Sequence, residues 1–250
     1  MNDPHPRILG VIPARLASTR LPRKVLRTLC GQPLLAWVVE AALRCPEFSQ
    51  PDQIVIAADS EEVAELCAAR DWRCLMTSPD LPSGSDRLFA VARQIPADIY
   101  VNIQADEPLL QPGHIESLLN PFTRPEVAVT TLKVRCPDNS LTDPNVVKVV
   151  TAPDGRALYF SRATIPYDRD GHGTTCWKHL GLYAYRRSAL ERFASLPPAY
   201  LEQVERLEQL RLLENNIDIH VAEAPADTIG VDTEDDLHKV EALLRRRLNS

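Results

Sequence analysis

This chain has little glycine, and none of it lies in the segment where a phosphate-binding loop would be expected. Only nine of the 250 residues are glycine, and residues 11–24, between a strand-like run and a helix-like run, contain none. The Walker A loop and the dinucleotide-binding fingerprint both require glycines at fixed positions, so both are excluded here. Any phosphate bound by this segment must be held by side chains and by backbone N–H groups.

Paired cysteines and long apolar runs are also absent. The six cysteines form no Cys-x-x-Cys pair and have no His at a metal-ligand spacing, which argues against a zinc site and favours reduced, mostly buried thiols. No apolar run approaches the roughly 18–20 residues of a membrane span. The first residues lack the pattern of a signal peptide. We therefore expect a cytoplasmic protein that does not contact a membrane.

Acidic residues are missing from residues 4–39, although the formal net charge of the whole chain is -6. The same segment carries six cations: Arg7, Arg15, Arg20, Arg23, Lys24 and Arg27. Like charges this close repel one another unless an anion lies among them, and a polyphosphate fits that role. A solvated basic loop is the alternative. The cluster is too local for a phosphate-tracking stripe, so no nucleic-acid partner is expected.

Strand-like and helix-like segments alternate in the first half. Short apolar runs predict strands at 8–12, 53–58, 73–76 and 98–103, and helical patterns cover 33–44, 60–70 and 85–94. This alternation predicts an α/β fold with a mostly parallel sheet flanked by helices. Ligands bind at the carboxyl ends of such strands, which places residues 13–24, Asp59 and residues 104–108 on one rim.

The second half contains more strands and fewer helices. Strands are predicted at 127–134, 146–151, 157–160, 180–185 and 218–222, and helices at 201–214 and 233–247. The chain shows no repeat and no low-complexity linker. We expect a single domain over residues 1–250, with halves of about 7–125 and about 126–250, the second forming a smaller β-rich lobe.

Two segments carry residues suited to metal and phosphate chemistry. Asp106 follows an apolar strand directly, a natural place to hold Mg²⁺, although a strand-end turn is the alternative. Asp232 is a second candidate metal carboxylate, but Asp232 or Thr233 could instead cap the last helix. Beside them, Arg15 and Lys24, with the hydroxyl groups of Ser18 and Thr19, are candidates for phosphate contact.

Two further segments suit an acidic substrate. Arg162 and Arg169 lie seven residues apart in a predicted loop, as suits a substrate carboxylate or phosphate. His179 and Tyr183 stand at the head of a predicted strand, where a lone histidine is more often structural.

Taken together, these segments resemble the 3-deoxy-manno-octulosonate cytidylyltransferases, the CMP-Kdo synthetases. The most specific matches are Tyr159-Phe160-Ser161-Arg162-Ala163-Thr164-Ile165-Pro166 and Leu207-Glu208-Gln209-Leu210-Arg211. The other matching segments follow the family's order along the chain: 12–22, 83–88, 102–108, 144–150, 179–185 and 230–233. Ala105, Arg23 and Ser85-Asp86 depart from the commonest pattern, and residues 170–176 form a short loop.

The resemblance implies a nucleotide-diphospho-sugar transferase fold, a homodimer, and the Mg²⁺-dependent reaction of CTP with Kdo to give CMP-Kdo and pyrophosphate. It implies catalytic roles for Arg15, Lys24, Asp106 and Asp232, with Mg²⁺ on the two aspartates. The implied nucleotide-binding residues are Pro13, Ala14, Arg15, Ser18, Thr19, Lys24, Ser83, Arg87 and Gln104. The implied sugar-acid residues are Arg162, Arg169, His179, Tyr183, Glu208 and Gln209.

The implied mechanism is direct in-line displacement, since no Ser-His-Asp or Cys-His arrangement indicates a covalent enzyme intermediate. Two alternatives stay open at this point. One is a cytidylyltransferase for a related acid, such as 8-amino-Kdo or a sialic-acid-like sugar. The other is a non-catalytic nucleotide-binding protein of the same fold. In the family the product supplies Kdo for lipopolysaccharide.

Overall fold

The computed structural model describes residues 6–18, 20–48, 50–171 and 173–248, and the chain divides into two compact units. The first unit combines Met1–Ile115 with Thr228–Ser250, and the second is Glu116–Asp227. The halves drawn from the sequence, about 7–125 and about 126–250, therefore differ from these units. The chain leaves the first unit about ten residues earlier, and its last segment returns to that unit.

The elements follow one another along the chain with short connections. The segment up to residue 119 contains β1 (Ile8–Ala14), β2 (Thr28–Leu29), β3 (Gln32–Pro33), α1 (Leu34–Leu43), β4 (Ile54–Ala58), α2 (Glu61–Ala69), β5 (Cys74–Met76), α3 (Gly84–Ala92), β6 (Ile99–Asn102) and α4 (Pro112–Leu119). The remainder contains β7 (Val129–Arg135), β8 (Lys148–Thr151), β9 (Ala157–Ser161), β10 (Trp177–Arg186), α5 (Arg187–Ser195), α6 (Tyr200–Glu205), α7 (Gln209–Glu214), β11 (His220–Glu223) and α8 (Glu234–Leu248).

The sheet of the first unit is parallel, in the order β6-β1-β4-β5. The strands β4 and β6 are buried along their whole length, as expected of a parallel sheet covered on both faces. A Cβ atom at Gly10 in β1 would lie 2.6 Å from Ile54 Cδ1 and 3.0 Å from Phe48 Cζ, so a larger residue there would require these side chains to move. The carboxyl ends of these strands lie at one edge, so the segments that follow them share one rim.

Helix α8 packs on the first unit through one apolar face. Leu237, Val240 and Leu244 recur at helical spacing and are buried with Leu21, Leu29, Leu34, Leu109 and Val231. This packing fixes the segment just before α8, which carries Asp232. The first unit therefore receives one of its candidate site residues from the far end of the chain.

The second unit is mostly antiparallel. The strand β10 pairs with β7 and β8, β8 also pairs with β9, and β11 lies parallel to β7. The pairing of β10 with β7 shifts register between Leu180 and Tyr183. The predicted α/β fold, with a mostly parallel sheet flanked by helices and a β-rich second part, is confirmed.

The sequence prediction of one helix over 201–214 is wrong. The structure has two short helices, α6 and α7, separated at Arg206, whose backbone is left-handed with φ 55°. Arg162 Nε donates to Glu205 O over 2.7 Å, which satisfies a carbonyl at the end of α6. The apolar spacing of 201–214 is compatible with one helix, and the side chain that satisfies the end of α6 comes from 43 residues away in the sequence. The sequence patterns also missed helix α5.

Within the described ranges, none of the helices has both the length and the apolar character needed to cross a membrane.

Candidate active site

A cavity of about 530 Å³ lies in the first unit at the carboxyl ends of its strands. All four residues predicted to be catalytic line it, namely Arg15, Lys24, Asp106 and Asp232. Its lining also includes Pro13, Ala17, Ser18, Arg20, Val25, Gly84, Arg87, Gln104 and Ala105. The rim predicted from the order of strands and helices is therefore a formed cavity whose charged groups come from four separate segments.

Lys24 lies between the two candidate metal carboxylates. Its Nζ donates to Asp106 Oδ2 over 2.5 Å and to Asp232 Oδ1 over 2.9 Å. Burial favours loss of the ammonium proton, but contact with the two carboxylates outweighs it and raises the pKa of Lys24 above its usual value. Lys24 is therefore charged at neutral pH, and its ammonium group holds the carboxylates of Asp106 and Asp232 close to each other.

The other cations of the N-terminal segment divide into two groups. Arg20 reaches into the cavity and pairs with Asp232 Oδ2 at 2.9 Å, and Arg15 Nη1 lies 3.5 Å from Pro82 O. Arg23 instead pairs with Glu62, and Arg27 pairs with Glu234. Neither of the last two lines the cavity in the described part of the chain. The cations of this segment that line the cavity are thus Arg15, Arg20 and Lys24.

Asp232 is available to the cavity because a neighbour caps the helix. Thr233 Oγ1 accepts from Asp236 N over 3.2 Å and donates to Asp236 Oδ2 over 2.8 Å, so Thr233 takes the capping position of α8. Burial raises the pKa of the Asp232 carboxyl, but Lys24 and Arg20 outweigh it and lower that pKa below its usual value. Of the two capping alternatives, the structure selects Thr233.

A backbone contact ties the two aspartates to each other. Val231 N donates to Asp106 O over 2.9 Å, so the segment before α8 is bonded directly to the segment after β6. Two carboxylates held around one cation are the donor set that Mg²⁺ takes in phosphate-transfer sites, where phosphate oxygens and water complete the octahedron. The described residues contain no group of three or more His, Cys, Asp or Glu side chains able to hold a metal ion. These two residues fit a magnesium ion that would take the place of the Lys24 ammonium between them, leaving Lys24 to pair with a bound phosphate.

Only some of the residues predicted to face the nucleotide line the cavity. Pro13, Ser18, Arg87 and Gln104 line the cavity. Ala14 is fully buried in β1. Ser83 is the N-cap of α3, and its hydroxyl donates to Asp86 Oδ2 over 2.7 Å and accepts from Asp86 N over 3.2 Å. Thr19 lies outside the described residues.

The sequence placed Asp59 on the rim but assigned it no role. Its carboxylate accepts from Leu16 N over 2.8 Å and from Arg87 Nη2 over 2.9 Å. It therefore joins the loop after β1 to helix α3. An acidic residue directly after a buried strand, in a sheet with a cationic loop at the same edge, is the signal that could have identified it.

In the second unit, Arg162 is held by backbone carbonyls. Its guanidinium donates to Pro144 O over 2.8 Å, Glu205 O over 2.7 Å and Arg206 O over 3.3 Å. The carboxylate of Glu205, which the sequence did not single out, accepts from Ser161 Oγ and Arg162 N. Arg162 thus organises the segment that precedes Glu208 and Gln209.

His179 and Tyr183 lie side by side on β10, with ring centroids 5.4 Å apart. His179 Nε2 is 2.9 Å from Thr131 Oγ1. Burial, with the nearby charge of Lys178, lowers the pKa of His179 to about 3. Burial also raises the pKa of Tyr183 well above its usual value. Both side chains are therefore neutral at physiological pH and can act on a ligand as hydrogen-bonding groups.

The remaining predicted sugar-acid residues surround the start of α7 and the loop before β10. Gln209 is buried, and Glu208 lines a cavity of about 250 Å³ together with Glu202, Gln203, Arg206, Leu207 and Pro198. Arg169 is exposed, next to Asp168, whose carboxylate accepts from Gly171 N, Gly173 N and Thr174 N. The short loop at 170–176 is organised by Asp168 over its described residues.

Comparison with known proteins adds a specific family to this geometry. A family model described as "Cytidylyltransferase" matches residues 9–219. The chain is 62% identical over 241 residues to a 3-deoxy-manno-octulosonate cytidylyltransferase of Acidobacterium capsulatum, covering 96% of this chain and 97% of that protein. It is 49% identical over 253 residues to the enzyme of the same name from Koribacter versatilis, covering 98% and 95%.

A solved structure agrees over nearly the whole fold. The chain superposes on CMP:2-keto-3-deoxy-manno-octonic acid synthetase in complex with CTP with a TM-score of 0.92 and 40% identity, covering 96% of this chain and 99% of the other. That neighbour was solved in complex with CTP.

Proposed function

This chain belongs to the 3-deoxy-manno-octulosonate cytidylyltransferases, and we propose which of its residues bind the nucleotide, the metal ion and the sugar acid in that reaction. The protein is a nucleotidyltransferase that transfers CMP from CTP to Kdo and releases pyrophosphate. The relatives named for Kdo do not favour the related sugar acids or a non-catalytic protein. In the proposal, the first unit binds and aligns the nucleotide, and residues of the second unit bind the sugar acid.

The proposal rests on one observation: Lys24, Asp106 and Asp232 converge in a cavity whose other charged residues are arginines. In the proposal, Arg15 and Lys24 bind the triphosphate of CTP, with Arg20 and Ser18 beside them. Pro13, Gln104 and Gly84 form the walls. Cations preorganised around a triphosphate act mainly by alignment and by stabilising charge on the transferring group.

In the proposed reaction, the anomeric hydroxyl oxygen of Kdo attacks the α-phosphorus of CTP. The new bond joins that oxygen to the α-phosphorus, and the bond from the α-phosphorus to the bridging oxygen breaks in line with it. The attacking hydroxyl gives up its proton to solvent water. The leaving pyrophosphate carries away the electron pair of the broken bond, and Arg15 and Lys24 offset its charge. Mg²⁺ held by Asp106 and Asp232 would neutralise phosphate charge and lower the pKa of the attacking hydroxyl.

For the sugar acid, we assign the residues that the sequence predicted in the second unit. Arg169 is exposed and offers its cation to the carboxylate of Kdo. His179, Tyr183, Glu208 and Gln209 offer hydrogen bonds to the sugar hydroxyl groups, with both ring side chains uncharged. Arg162, bound to three carbonyls, contributes by holding the segment before Glu208.

The metal assignment is tested by replacing Asp106 and Asp232 one at a time with Asn. We expect each variant to lose on the order of 10²–10³ in kcat, by analogy with the loss of a single electrostatic group from an active site. Binding of Mg²⁺ to the CTP complex, measured by calorimetry, should weaken in parallel. The matched control is Asp52→Asn, whose side chain is 64% exposed and lies outside the cavity lining. Near-normal turnover and Mg²⁺ binding in Asp106→Asn would show that the metal is held elsewhere.

We further propose that the enzyme is a homodimer that works in the cytoplasm and supplies CMP-Kdo for lipopolysaccharide synthesis. Large apolar side chains exposed on the second unit support self-association: Leu158 is 53% exposed, Tyr200 74% and Val204 63%. Tyr200 and Val204 lie one turn apart on α6 and share a face. Sedimentation velocity should give a dimer mass, and a monomer at micromolar concentration would overturn this part of the proposal.

A further inference from the structure

Asp59 forms hydrogen bonds to two segments that border the cavity, the loop after β1 and helix α3. It follows β4 directly, and its side chain is 6% exposed. One carboxylate oxygen, Oδ1, accepts from Leu16 N over 2.8 Å, and the other, Oδ2, accepts from Arg87 Nη2 over 2.9 Å. A single buried carboxylate therefore links the loop after β1 to helix α3.

Arg87 extends this link to a third strand end. Its Nη1 donates to Thr77 Oγ1 over 2.7 Å and to Ser78 O over 3.1 Å. Thr77 in turn donates its N–H and its hydroxyl to Ala58 O, over 2.8 Å and 2.9 Å. The ends of β1, β4 and β5 and the first turns of α3 thus share one buried hydrogen-bond network.

The network reaches the cavity through the backbone of one residue. Leu16 lies between Arg15 and Ala17, and these two residues, with Ser18, line the cavity. Asp59 and Thr77 are not among the lining residues in the described part of the chain, whereas Arg87 is. Asp59 therefore meets the phosphate-facing loop at its backbone and leaves the cationic side chains free to face the cavity.

The burial of this ion pair is itself informative. The Arg87 side chain is 1% exposed, and withdrawing two charges from water costs about as much as their attraction returns. An apolar pair of similar volume would serve stability as well. The ion pair differs from an apolar pair in its directed hydrogen bonds. The carboxylate of Asp59 accepts from a loop N–H through one oxygen and from a guanidinium through the other, so it sets the position of the loop relative to helix α3.

We propose that Asp59 is a positioning residue for the transferase reaction. Through Leu16 N and Arg87, it holds the segment from Arg15 to Ser18 in the conformation that receives the triphosphate of CTP. This inference rests on the proposed assignment of that loop to CTP. It adds a residue outside the cavity that sets the affinity for the nucleotide and the alignment of its α-phosphorus.

Three variants test the proposal by steady-state kinetics with CTP and Kdo varied separately. Asp59→Ala removes both contacts, Asp59→Asn keeps an acceptor for Leu16 N, and Leu16→Pro removes the N–H donor while leaving the ion pair. We expect Asp59→Ala to raise KM for CTP and lower kcat, together costing on the order of 10²-fold in kcat/KM, since displacements of about 1 Å have such effects. KM for Kdo should change by less than about twofold, and Leu16→Pro should shift the same constants in the same direction.

Two measurements separate positioning from general stability. Glu40→Ala, which breaks the Arg70–Glu40 pair of the same unit outside the cavity lining, is the matched control and should leave KM for CTP unchanged. Hydrogen exchange at Leu16 N–H should be slow in the wild type and fast in Asp59→Ala. Unchanged KM for CTP in both Asp59→Ala and Leu16→Pro, with only a lower Tm, would overturn the proposal. If Asp59→Ala does not fold, Leu16→Pro alone decides.

The failure of this inference is distinguishable from the failure of the proposed site. If Lys24→Met and Asp106→Asn lose activity but the Asp59 and Leu16 variants do not, Asp59 has no positioning role and the site stands. If Lys24→Met and Asp106→Asn also keep normal kinetics, the cavity is not the CTP site. The positioning role proposed for Asp59 is then wrong as well.

Discussion

Lys148 is a fully buried lysine whose ammonium group is bound by backbone carbonyls on three sides. Its Nζ donates to Asp143 O over 2.8 Å, Val146 O over 2.7 Å and Arg162 O over 2.9 Å. The three protons of the ammonium are all satisfied, which allows a charge to remain buried. Lys148 therefore holds the loop before β8 against the end of β9, next to Arg162.

Replacing Lys148 with Met should destabilise the protein strongly, because three partly buried backbone carbonyls lose this donor at once. We expect a loss on the order of 3 kcal/mol, or roughly 6–12 °C in Tm. The matched control is Lys239→Met on α8, where the side chain is 67% exposed and the change should stay within about 0.5 kcal/mol. Thermal unfolding followed by circular dichroism makes the comparison, and equal Tm values for the two variants would contradict this account of Lys148.

The types of the residues in the cavity could be predicted from the sequence, but their partners could not. Arg15, Lys24 and Asp106 stand directly after predicted strands or in the loop that follows a strand, and the strand-end rule brings them to one rim. Lys24 bonds to Asp232 across 208 residues of sequence, and Arg87 bonds to Asp59 instead of lying free before a ligand. Such pairings depend on how helices pack, which no local pattern specifies.

The ends of two helices set the positions of three candidate site residues. The end of α6 at Arg206 turns the chain so that Glu208 and Gln209 begin a new helix, and the start of α8 at Thr233 leaves Asp232 facing the cavity. The N-cap at Thr233 was one of two alternatives in the sequence. The break at Arg206 was not predicted, because Arg162, whose guanidinium donates to Glu205 O and Arg206 O, is distant in the chain.

Removing the cap of α8 should affect catalysis as well as stability. Thr233→Ala loses the bond from Asp236 N and should cost about 1 kcal/mol, as N-cap deletions usually do. Because Asp232 is the preceding residue, we also expect kcat/KM for CTP to fall several-fold. Thr233→Ser keeps a hydroxyl that can accept from Asp236 N and serves as the control. Urea unfolding should show the loss of stability in Thr233→Ala and not in Thr233→Ser, and only Thr233→Ala should be impaired in turnover. Equal activity in Thr233→Ala and Thr233→Ser would show that this cap does not position Asp232.

Over the whole molecule the net charge is negative, whereas the cavity of the first unit contains more cations than anions. The formal net charge is -6, yet Arg15, Arg20, Lys24 and Arg87 line one cavity together with two aspartates. A cleft with low-dielectric walls focuses the field of the charges nearest to it, so a triphosphate is attracted despite the sign of the whole chain.

Salt should therefore weaken CTP binding. The Debye length falls from about 10 Å at 0.1 M to about 3 Å at 1 M, which screens the partly exposed cations. Raising KCl from about 0.05 M to about 0.5 M at saturating Mg²⁺ should increase KM for CTP several-fold, and the increase should be smaller in Arg20→Gln. Initial rates of pyrophosphate release provide the measurement. A KM that falls with salt would show that the net negative charge dominates over the cavity.

The sequence alone determined the α/β class, the strands at whose ends the site forms, the family and the residue types of the cavity. Local periodicity and strand-end rules are sufficient for the fold class, the strands and the residue types, because they depend on neighbours within one or two turns or strands. The family was indicated instead by its resemblance in matching segments such as 159–166 and 207–211. Three features could be seen only in the folded chain: residues 228–250 return to the first unit, Lys24 lies between Asp106 and Asp232, and Asp59 accepts from a backbone N–H of the loop after β1. These outcomes depend on the apolar face of α8 and on buried ion pairs, whose partners meet only when the core has packed.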